Sequence, residues 1–283
     1  MQQTQTAFIA AGRNLFQVEL PSESDEVLPN VKWGCVAGFP SVSYWLYRVF
    51  ERRLTNTAMN YKLGKSLLEE IGACLLGGHG IPAERGLAAY EHMKLRGAFN
   101  GILHTNEQLY NWLSEPIEFQ GKTFRYRFAK QKAKYLNSAI EKIIAETPPT
   151  ESGKELRNWL TKINGIGLKT ASWIARNWLD ADDVAILDIH IYRAGILGGF
   201  FKDNLTVERH YLELEEQFLA LASSMDVRAS ELDALMWFEM QESSTVLKQL
   251  EVRNQTLEAD KPMAISDLSS DHSSTYAQQL ALL

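Results

Sequence analysis

The stretch between residues 160 and 193 constrains the fold more than any other part of this sequence. Two segments with helical spacing of their apolar residues flank the short sequence INGIGLK at residues 163–169. Gly165 and Gly167 interrupt the helical pattern, and we expect both to use the positive φ and the close backbone approach that glycine permits. The sequence therefore predicts two helices joined by a tight hairpin.

The amides that open the second helix give this hairpin a chemical use. Unpaired N–H groups at a helix N-terminus, together with the helix dipole, attract an anion such as a phosphate. Such a hairpin can hold a DNA backbone without reading its sequence. The alternative is a plain turn between two helices, in which the glycines serve only as caps.

Lys169 and Asp188 are the residues near the hairpin that could carry out chemistry. Lys169 lies in the first turn of the second helix, where the amides disfavour its charge, and a neutral amine is a nucleophile suited to Schiff-base formation. Asp188 follows a short apolar run and precedes another helix. It is therefore a candidate N-cap and a candidate carboxylate for stabilising positive charge, and the two roles are compatible. For Lys169 the alternative is an ordinary solvated surface charge.

The composition indicates a mostly helical chain with room for two lobes. Apolar residues make up 45% of the 283 residues, charged residues make up 23%, and there are only 8 prolines. Cys35 and Cys74 are too few for a four-cysteine metal or iron–sulfur site. No segment has the pattern of a membrane span or a secretory leader. We therefore expect no metal, no cofactor and a cytoplasmic, bacterial-type protein associated with the nucleoid.

Helical patterns and turn signals divide the chain into four parts. Residues 1–60 are an irregular or β-containing N-terminal segment that is expected to pack on the C-terminal lobe. Residues 61–198 are a helical domain with the hairpin at about 155–179, residues 199–257 are a C-terminal helical lobe, and residues 258–283 are a polar tail.

Helices outside the hairpin follow from the same spacing rule. One is predicted from Leu63 to Leu76, and the next is predicted to open at Pro82. Others are expected at about residues 44–53, 129–145, 189–197, 206–223 and 228–242.

Six basic residues crowd together just before and inside the helix expected at 129–145, although the net charge of the chain is −6. They are Lys122, Arg125, Arg127, Lys130, Lys132 and Lys134. Because the local field matters more than the net charge, this cluster is a candidate for salt-dependent phosphate contacts. The alternative is a solvated helix face.

Together, the segments INGIGLKTA (163–171) and LDIH (187–190) resemble the helix-hairpin-helix, Gly/Pro…Asp (HhH-GPD) signature of base-excision DNA glycosylases. Within that superfamily the resemblance is greatest to the 8-oxoguanine DNA glycosylase/AP lyases. It implies a mostly α, two-lobed fold in which Lys169 is the nucleophile, Asp188 the catalytic aspartate and His190 a DNA contact. Asn164 takes the place of the proline that is usual in the hairpin.

The resemblance also implies residues that open the duplex, because a stacked base must be extruded before its glycosidic bond can be reached. The wedge that fills the vacated space falls on His79, in the glycine-rich loop after the helix that ends near Leu76. A second wedge falls on Gln131, with Lys132 beside it on the DNA. Gly165 and Gly167 would contact the backbone.

The residues that would line the base pocket depart from the family pattern. A small residue on the catalytic helix is Trp173 here, and the base-reading glutamine and the stacking phenylalanine fall on Asp233 and Trp237. A carboxylate accepts hydrogen bonds, so Asp233 would suit an exocyclic amine such as cytosine N4, or the donor edge of a guanine. The alternative is that both tryptophans belong to the core.

The resemblance thus implies a monomeric DNA glycosylase, with AP lyase activity, that flips and excises a modified base from double-stranded DNA through a lysine Schiff base. Oxidised guanine is the default substrate. Two alternatives remain open from the sequence: excision of a bulky modified cytosine from phage DNA as an antiviral defence, and a non-catalytic DNA-binding module.

Overall fold

The computed structural model describes residues 4–55, 62–78 and 80–259. Over these residues the chain forms eleven helices and six short strands, so the prediction of a mostly helical fold is confirmed. In chain order the elements are β1 (Gln5–Ala11), β2 (Asn14–Leu20), β3 (Glu26–Leu28), β4 (Val31–Lys32), α1 (Val42–Leu54), α2 (Leu67–Leu76), α3 (Ala83–Leu95), α4 (Asn106–Ser114), β5 (Pro116–Phe119), β6 (Lys122–Arg125), α5 (Ala129–Ala145), α6 (Gly153–Leu160), α7 (Leu168–Leu179), α8 (Ile189–Gly198), α9 (Val207–Ser224), α10 (Ala229–Glu242) and α11 (Val246–Ala259).

The six strands form three separate antiparallel pairs, β1 with β2, β3 with β4 and β5 with β6. In the first pair Gln5 lies opposite Leu20 and Ala11 opposite Asn14. The Gln5 side chain fastens this hairpin to the rest of the N-terminal segment, because its Nε2 donates to Ser43 Oγ (3.0 Å) and its Oε1 accepts from Val36 N (2.8 Å). The predicted N-terminal β structure is therefore present as hairpins rather than as one sheet.

Two apolar clusters form the core. The first is built by α2 to α7 and contains buried residues from Leu68 to Val184. The second joins the N-terminal segment and α1 to α8, α9 and α10, with buried residues from Leu20 to Val49 and from Ala185 to Val246. Along the chain, Val184 is the last buried residue of the first cluster, and Ala185 and the buried residues of α8 belong to the second. Helix α8 therefore packs with the C-terminal helices. The division at residue 198 remains a prediction about domains.

Helix α2 begins at Leu67 rather than at the predicted Leu63, for a local reason. Ser66 caps the helix by accepting from Glu69 N (3.2 Å), and Glu70 accepts the amides of Leu63 and Gly64, both at 2.7 Å. These amides are used by a carboxylate, so the residues before Ser66 stay extended.

Three elements have no counterpart in the sequence prediction: α4, the β5–β6 hairpin and α11. The hairpin turns at Gln120 and Gly121, which both have positive φ, as a tight two-residue turn requires. It places Lys122 and Arg125 on a strand, so the basic residues do not share one helix face. Helix α11 extends to Ala259, and the rest of the predicted polar tail lies outside the described residues.

Among the described helices, none combines the length and the apolar character needed to cross a bilayer.

Candidate active site and DNA-binding surface

The hairpin between α6 and α7 depends on Gly165. This residue has φ +85°, and a Cβ built on it would lie 2.2 Å from Cδ2 of Tyr135. Glycine is therefore required both by the backbone and by the ring packed on it. Gly167 differs from the expectation, because its φ is −91° and the space around its Cβ position is open. Its role is to leave room rather than to take a positive φ.

The open space at Gly167 adjoins the first amides of α7. Gly167 is the N-cap of this helix and has no side chain to satisfy them, and the first amide to find a helical partner is Ala171 N, which donates to Gly167 O (2.9 Å). The N–H groups of residues 168–170 have no hydrogen-bond partner within the described part of the chain. They can therefore hold an anion such as a phosphate oxygen.

Lys169 lies in this first turn and is exposed. Its ammonium makes no hydrogen bond or ion pair with any residue that the structure describes. Trp173 follows one turn later on the same helix face, and it is half-buried against the first apolar cluster. The nucleophile candidate is thus held by a rigid helix while its amine remains free to react.

Asp188 is the N-cap of α8. Its Oδ1 accepts from His190 N (2.8 Å) and from Ile191 N (3.0 Å). The other oxygen, Oδ2, has no hydrogen-bond partner among the described residues. The carboxylate is therefore fixed by one oxygen and can present the other to a developing positive charge.

His190 and Trp237 meet beside this cap. Their ring centroids are 6.3 Å apart with an interplanar angle of 81°, and Trp237 is 39% exposed. The imidazole Nδ1 of His190 is buried and has no partner in the described part of the chain. The structure therefore brings His190, Trp237 and Asp188 together, and Trp237 is not a core residue.

Asp233 does not present its carboxylate to solvent. The residue is 2% exposed, its Oδ2 accepts from Ile186 N (3.2 Å), and its Oδ1 lies 3.3 Å from Nη2 of Arg176. Burial raises the pKa of Asp233 to about 7, against the opposing attraction of Arg176. The expected base-reading role for Asp233 is not supported by this geometry, because both oxygens face the protein interior.

The two candidate residues at the start of α5 lie next to the hairpin. Gln131 is exposed, and its Nε2 donates to the hydroxyl of Tyr135 (2.7 Å), whose ring packs on Gly165. Lys132 Nζ donates instead to the backbone carbonyl of Gly77 (3.1 Å), and burial lowers its pKa. Lys132 therefore ties α5 to the end of α2 rather than pointing outward.

His79, the predicted wedge, lies outside the described residues. Gly77, the C-cap of α2, accepts from Lys132 Nζ, and this contact joins the end of α2 to the start of α5. The end of α2, the start of α5 and the hairpin therefore form one continuous surface.

The other five members of the basic cluster are exposed and have no acidic partner within the described ranges. They are Lys122, Arg125, Arg127, Lys130 and Lys134. Their positive field is not cancelled locally, which suits phosphate contacts. Among all the residues that the structure describes, no group of His, Cys, Asp and Glu side chains is arranged to hold a metal ion.

Sequence reasoning missed Tyr135 and Arg176. Tyr135 is one turn beyond Gln131 on α5, and only its contact with Gly165 shows its use. Arg176 looks in the sequence like a surface residue near the end of a helix, but it is 6% exposed and pairs with Asp233, which is far away in the chain. Such long-range contacts leave no local signal.

Comparisons with known proteins show which family the sequence of this chain matches. The chain matches the family model described as 8-oxoguanine DNA glycosylase (Ogg-HhH) over residues 52–227. The 8-oxoguanine DNA glycosylase/AP lyase of Saccharolobus islandicus is 30% identical over 213 residues, which cover 72% of this chain and 93% of that relative. The corresponding protein of Metallosphaera sedula is 32% identical over 154 residues, covering 50% of this chain and 72% of that relative.

Among solved structures, the chain is similar to Methanocaldococcus jannaschii 8-oxoguanine glycosylase/lyase in complex with a 15mer DNA containing 8-oxoguanine. The identity is 24%, the TM-score is 0.46, and the match covers 71% of this chain and 91% of that chain. The family model spans more than half of the present chain, and the Saccharolobus islandicus relative is matched over nearly its whole length. The chain therefore belongs to the 8-oxoguanine DNA glycosylase (Ogg-HhH) family.

Proposed function

We propose that this protein is a DNA glycosylase with AP lyase activity that excises oxidised guanine from double-stranded DNA. The observation that carries the proposal is that α7 holds Lys169 exposed in its first turn, while the N-cap of α8 fixes the carboxylate of Asp188 by one oxygen. Family membership supplies the substrate class, since the matched relatives are 8-oxoguanine DNA glycosylase/AP lyases.

In the proposed reaction the nucleotide is flipped out of the duplex, because C1′ cannot be reached inside a base stack. The amine of Lys169 attacks C1′, the glycosidic bond breaks, and the base leaves with the bonding electron pair and takes up a proton. Asp188 stabilises the positive charge that grows on the deoxyribose in the transition state. Opening of the sugar ring then gives a Schiff base on Lys169, from which β-elimination breaks the 3′ C–O bond.

DNA binding is proposed to use the hairpin and the basic cluster. The open amides of residues 168–170 would accept a phosphate, and Lys130 and Lys134 would contribute salt-dependent contacts. Gln131 would enter the duplex beside His79, and His190 would approach the backbone near Asp188. A single chain supplies all of these groups, so the protein is proposed to act as a monomer on nucleoid DNA in the cytoplasm.

The two alternatives lose their support. Excision of a modified cytosine depended on a carboxylate facing the base, and the Asp233 carboxylate is instead engaged by Arg176 and Ile186 N. A non-catalytic binding module would leave unexplained both the exposed amine in the first turn of α7 and the capped carboxylate at the start of α8.

Borohydride trapping on a duplex that carries 8-oxoguanine tests the proposal. We expect a covalent protein–DNA band with the native protein, no band with Lys169→Gln, and a much weaker band with Asp188→Asn. Lys154→Gln, which removes an exposed ammonium from α6, is the matched control and should trap like the native protein. Absence of both a band and base release on this duplex would refute oxidised guanine as the substrate, and absence on abasic DNA as well would refute Lys169 as the nucleophile.

A further inference from the structure

The segment Val184–Leu187, which leads directly to Asp188, is buried without belonging to a helix or a strand. None of its residues is more than 7% exposed. A buried backbone that lacks regular structure still has to pair its N–H and C=O groups, and an unpaired one is costly. The partners of this segment therefore show what holds Asp188 in place.

Three polar side chains supply those partners. Glu215 Oε1 accepts from Ala185 N (2.9 Å), and Asp233 Oδ2 accepts from Ile186 N (3.2 Å). The Tyr211 hydroxyl donates to Ala185 O (2.8 Å) and accepts from Leu187 N (3.2 Å). Tyr211 and Glu215 lie on α9 and Asp233 lies on α10, so the C-terminal helices hold the segment from one side.

Each of the two carboxylates also has an arginine partner on the hairpin. Glu215 pairs through Oε2 with Arg157 of α6, and Oδ1 of Asp233 lies 3.3 Å from Nη2 of Arg176 of α7. All four side chains are buried, with exposures between 2% and 6%. The hairpin helices are thus connected to the segment before Asp188 by two routes, each consisting of an arginine, a carboxylate and a backbone amide.

Such buried pairs contribute little net stability, because desolvation of the charges offsets their attraction. They do fix geometry, since a hydrogen bond between an arginine and a carboxylate, as between Arg157 and Glu215, is directional. α7 carries Lys169 at its start, and the held segment ends one residue before Asp188. The connections therefore set the position of the carboxylate relative to the nucleophile.

We infer that Tyr211, Glu215 and Asp233 are positioning residues. They hold the Asp188 carboxylate at a fixed position relative to the hairpin and Lys169. The inference rests on the proposed function, because it concerns the geometry of that same reaction. A misplacement of about 1 Å in a reacting group can cost about 100-fold in rate, whereas DNA affinity depends on the hairpin surface and should not change.

Tyr211→Phe is the first test, because it removes the bridging hydroxyl and keeps the ring. We expect the single-turnover rate of 8-oxoguanine release to fall about 10- to 100-fold, while the Kd for a duplex with a non-cleavable abasic analogue stays at the native value. Tyr90→Phe is the matched control. It removes a tyrosine hydroxyl that contacts Glu69 and Lys94 in the other apolar cluster, and it should leave the rate unchanged.

A double-mutant cycle separates positioning from a merely structural role. If Tyr211 acts through Asp188, adding Tyr211→Phe to Asp188→Asn should produce little further loss, so the two effects are not multiplicative. A fully multiplicative loss, an unchanged rate, or an equal loss of DNA affinity would overturn the inference.

Asp233→Asn provides a second variant if Tyr211→Phe does not fold. It keeps an oxygen for Ile186 N and puts an amide nitrogen in place of the carboxyl oxygen that faces Arg176, and the same rate loss and the same non-additivity are expected. An unchanged rate, or a loss fully multiplicative with that of Asp188→Asn, would equally overturn the inference. A native protein that releases no base from the duplex would refute the proposed function instead, so the two failures can be told apart.

Discussion

Replacing Gly165 by alanine should destabilise the protein through two effects that can be read from the structure. The residue has φ +85°, and a side chain in this region costs about 1–2 kcal/mol. The new Cβ would also lie 2.2 Å from the Tyr135 ring, so the ring would have to move by more than 1 Å to restore ordinary contact. Overpacking of that kind costs about 1–2 kcal/mol, giving about 3 kcal/mol in total. For a chain of this size that corresponds to a fall in Tm of about 6–12 °C.

Gly167→Ala should leave the stability of the protein nearly unchanged but weaken DNA binding. Its φ of −91° suits alanine, and nothing lies within 4 Å of the new Cβ, so the free energy of unfolding should change by no more than about 0.5 kcal/mol. The methyl group would occupy the space in front of the α7 amides. Loss of one charge-assisted amide–phosphate bond, about 1.5 kcal/mol, would weaken DNA binding about tenfold.

Thermal unfolding and binding to a duplex with an abasic analogue measure the two effects separately. Gly12→Ala is the matched control, because Gly12 has φ +61° with open space at its Cβ, and it isolates the backbone cost from the clash with Tyr135. A Tm for Gly165→Ala no lower than that of Gly12→Ala would contradict the contact with the ring. Native DNA affinity in Gly167→Ala would mean that the hairpin amides do not hold a phosphate.

Two further predictions concern charge. Replacing Lys130 and Lys134 by glutamine should lower the slope of log Kd against log salt concentration by about 1.8, if each contacts one phosphate. Lys154→Gln is the control and should leave that slope unchanged. An unchanged slope in the double variant would mean that neither lysine lies on the DNA. The free energy of unfolding of the native protein should fall as the pH rises from about 4 to about 7. Burial raises the pKa of Asp233 to about 7 in the folded state, so the folded protein holds the proton of this carboxyl more tightly than the unfolded chain does. Asp233→Asn should lack this decline in a pH series of chemical denaturation curves, and an identical decline in both proteins would assign it to another group.

The hairpin could be predicted from the sequence because its signals are local. The glycines at 165 and 167 and the polar residue at 188 lie within a few residues of the helix ends that they determine. The exact use of Gly167 could not be predicted in the same way, since φ depends on the final path of the turn. That path is set by Tyr135, which lies on another helix.

The start of α2 and the positions of the basic residues also could not be predicted from local spacing. Apolar spacing alone extends α2 back to Leu63, whereas Glu70 accepts the amides of that turn and ends it at Ser66. Charge spacing alone places six basic residues together, whereas a turn at Gln120 separates two of them onto a strand. A polar contact overrides the periodic pattern in the first case, and a backbone turn overrides it in the second.

Asp233 shows why the direction of a side chain is harder to predict than its place on a helix. Alignment to a family pattern assigns a residue to a helix position, but the direction of its side chain depends on which partner competes for it. Here an arginine on α7 and a backbone amide before Asp188 both face that carboxylate. The sequence separation of these groups hides the contact.

The net charge of −6 does not conflict with DNA binding once the partners of the acids are considered. Many carboxylates are engaged by arginines within the fold, as Glu239 is by Arg48 and Asp182 is by Arg228. Exposed lysines on α5, by contrast, face no acid among the described residues. Since the field at a surface is set by nearby unpaired charges and is screened over about 8–10 Å, the DNA would meet the positive field of α5 and the hairpin rather than the charge of the whole chain.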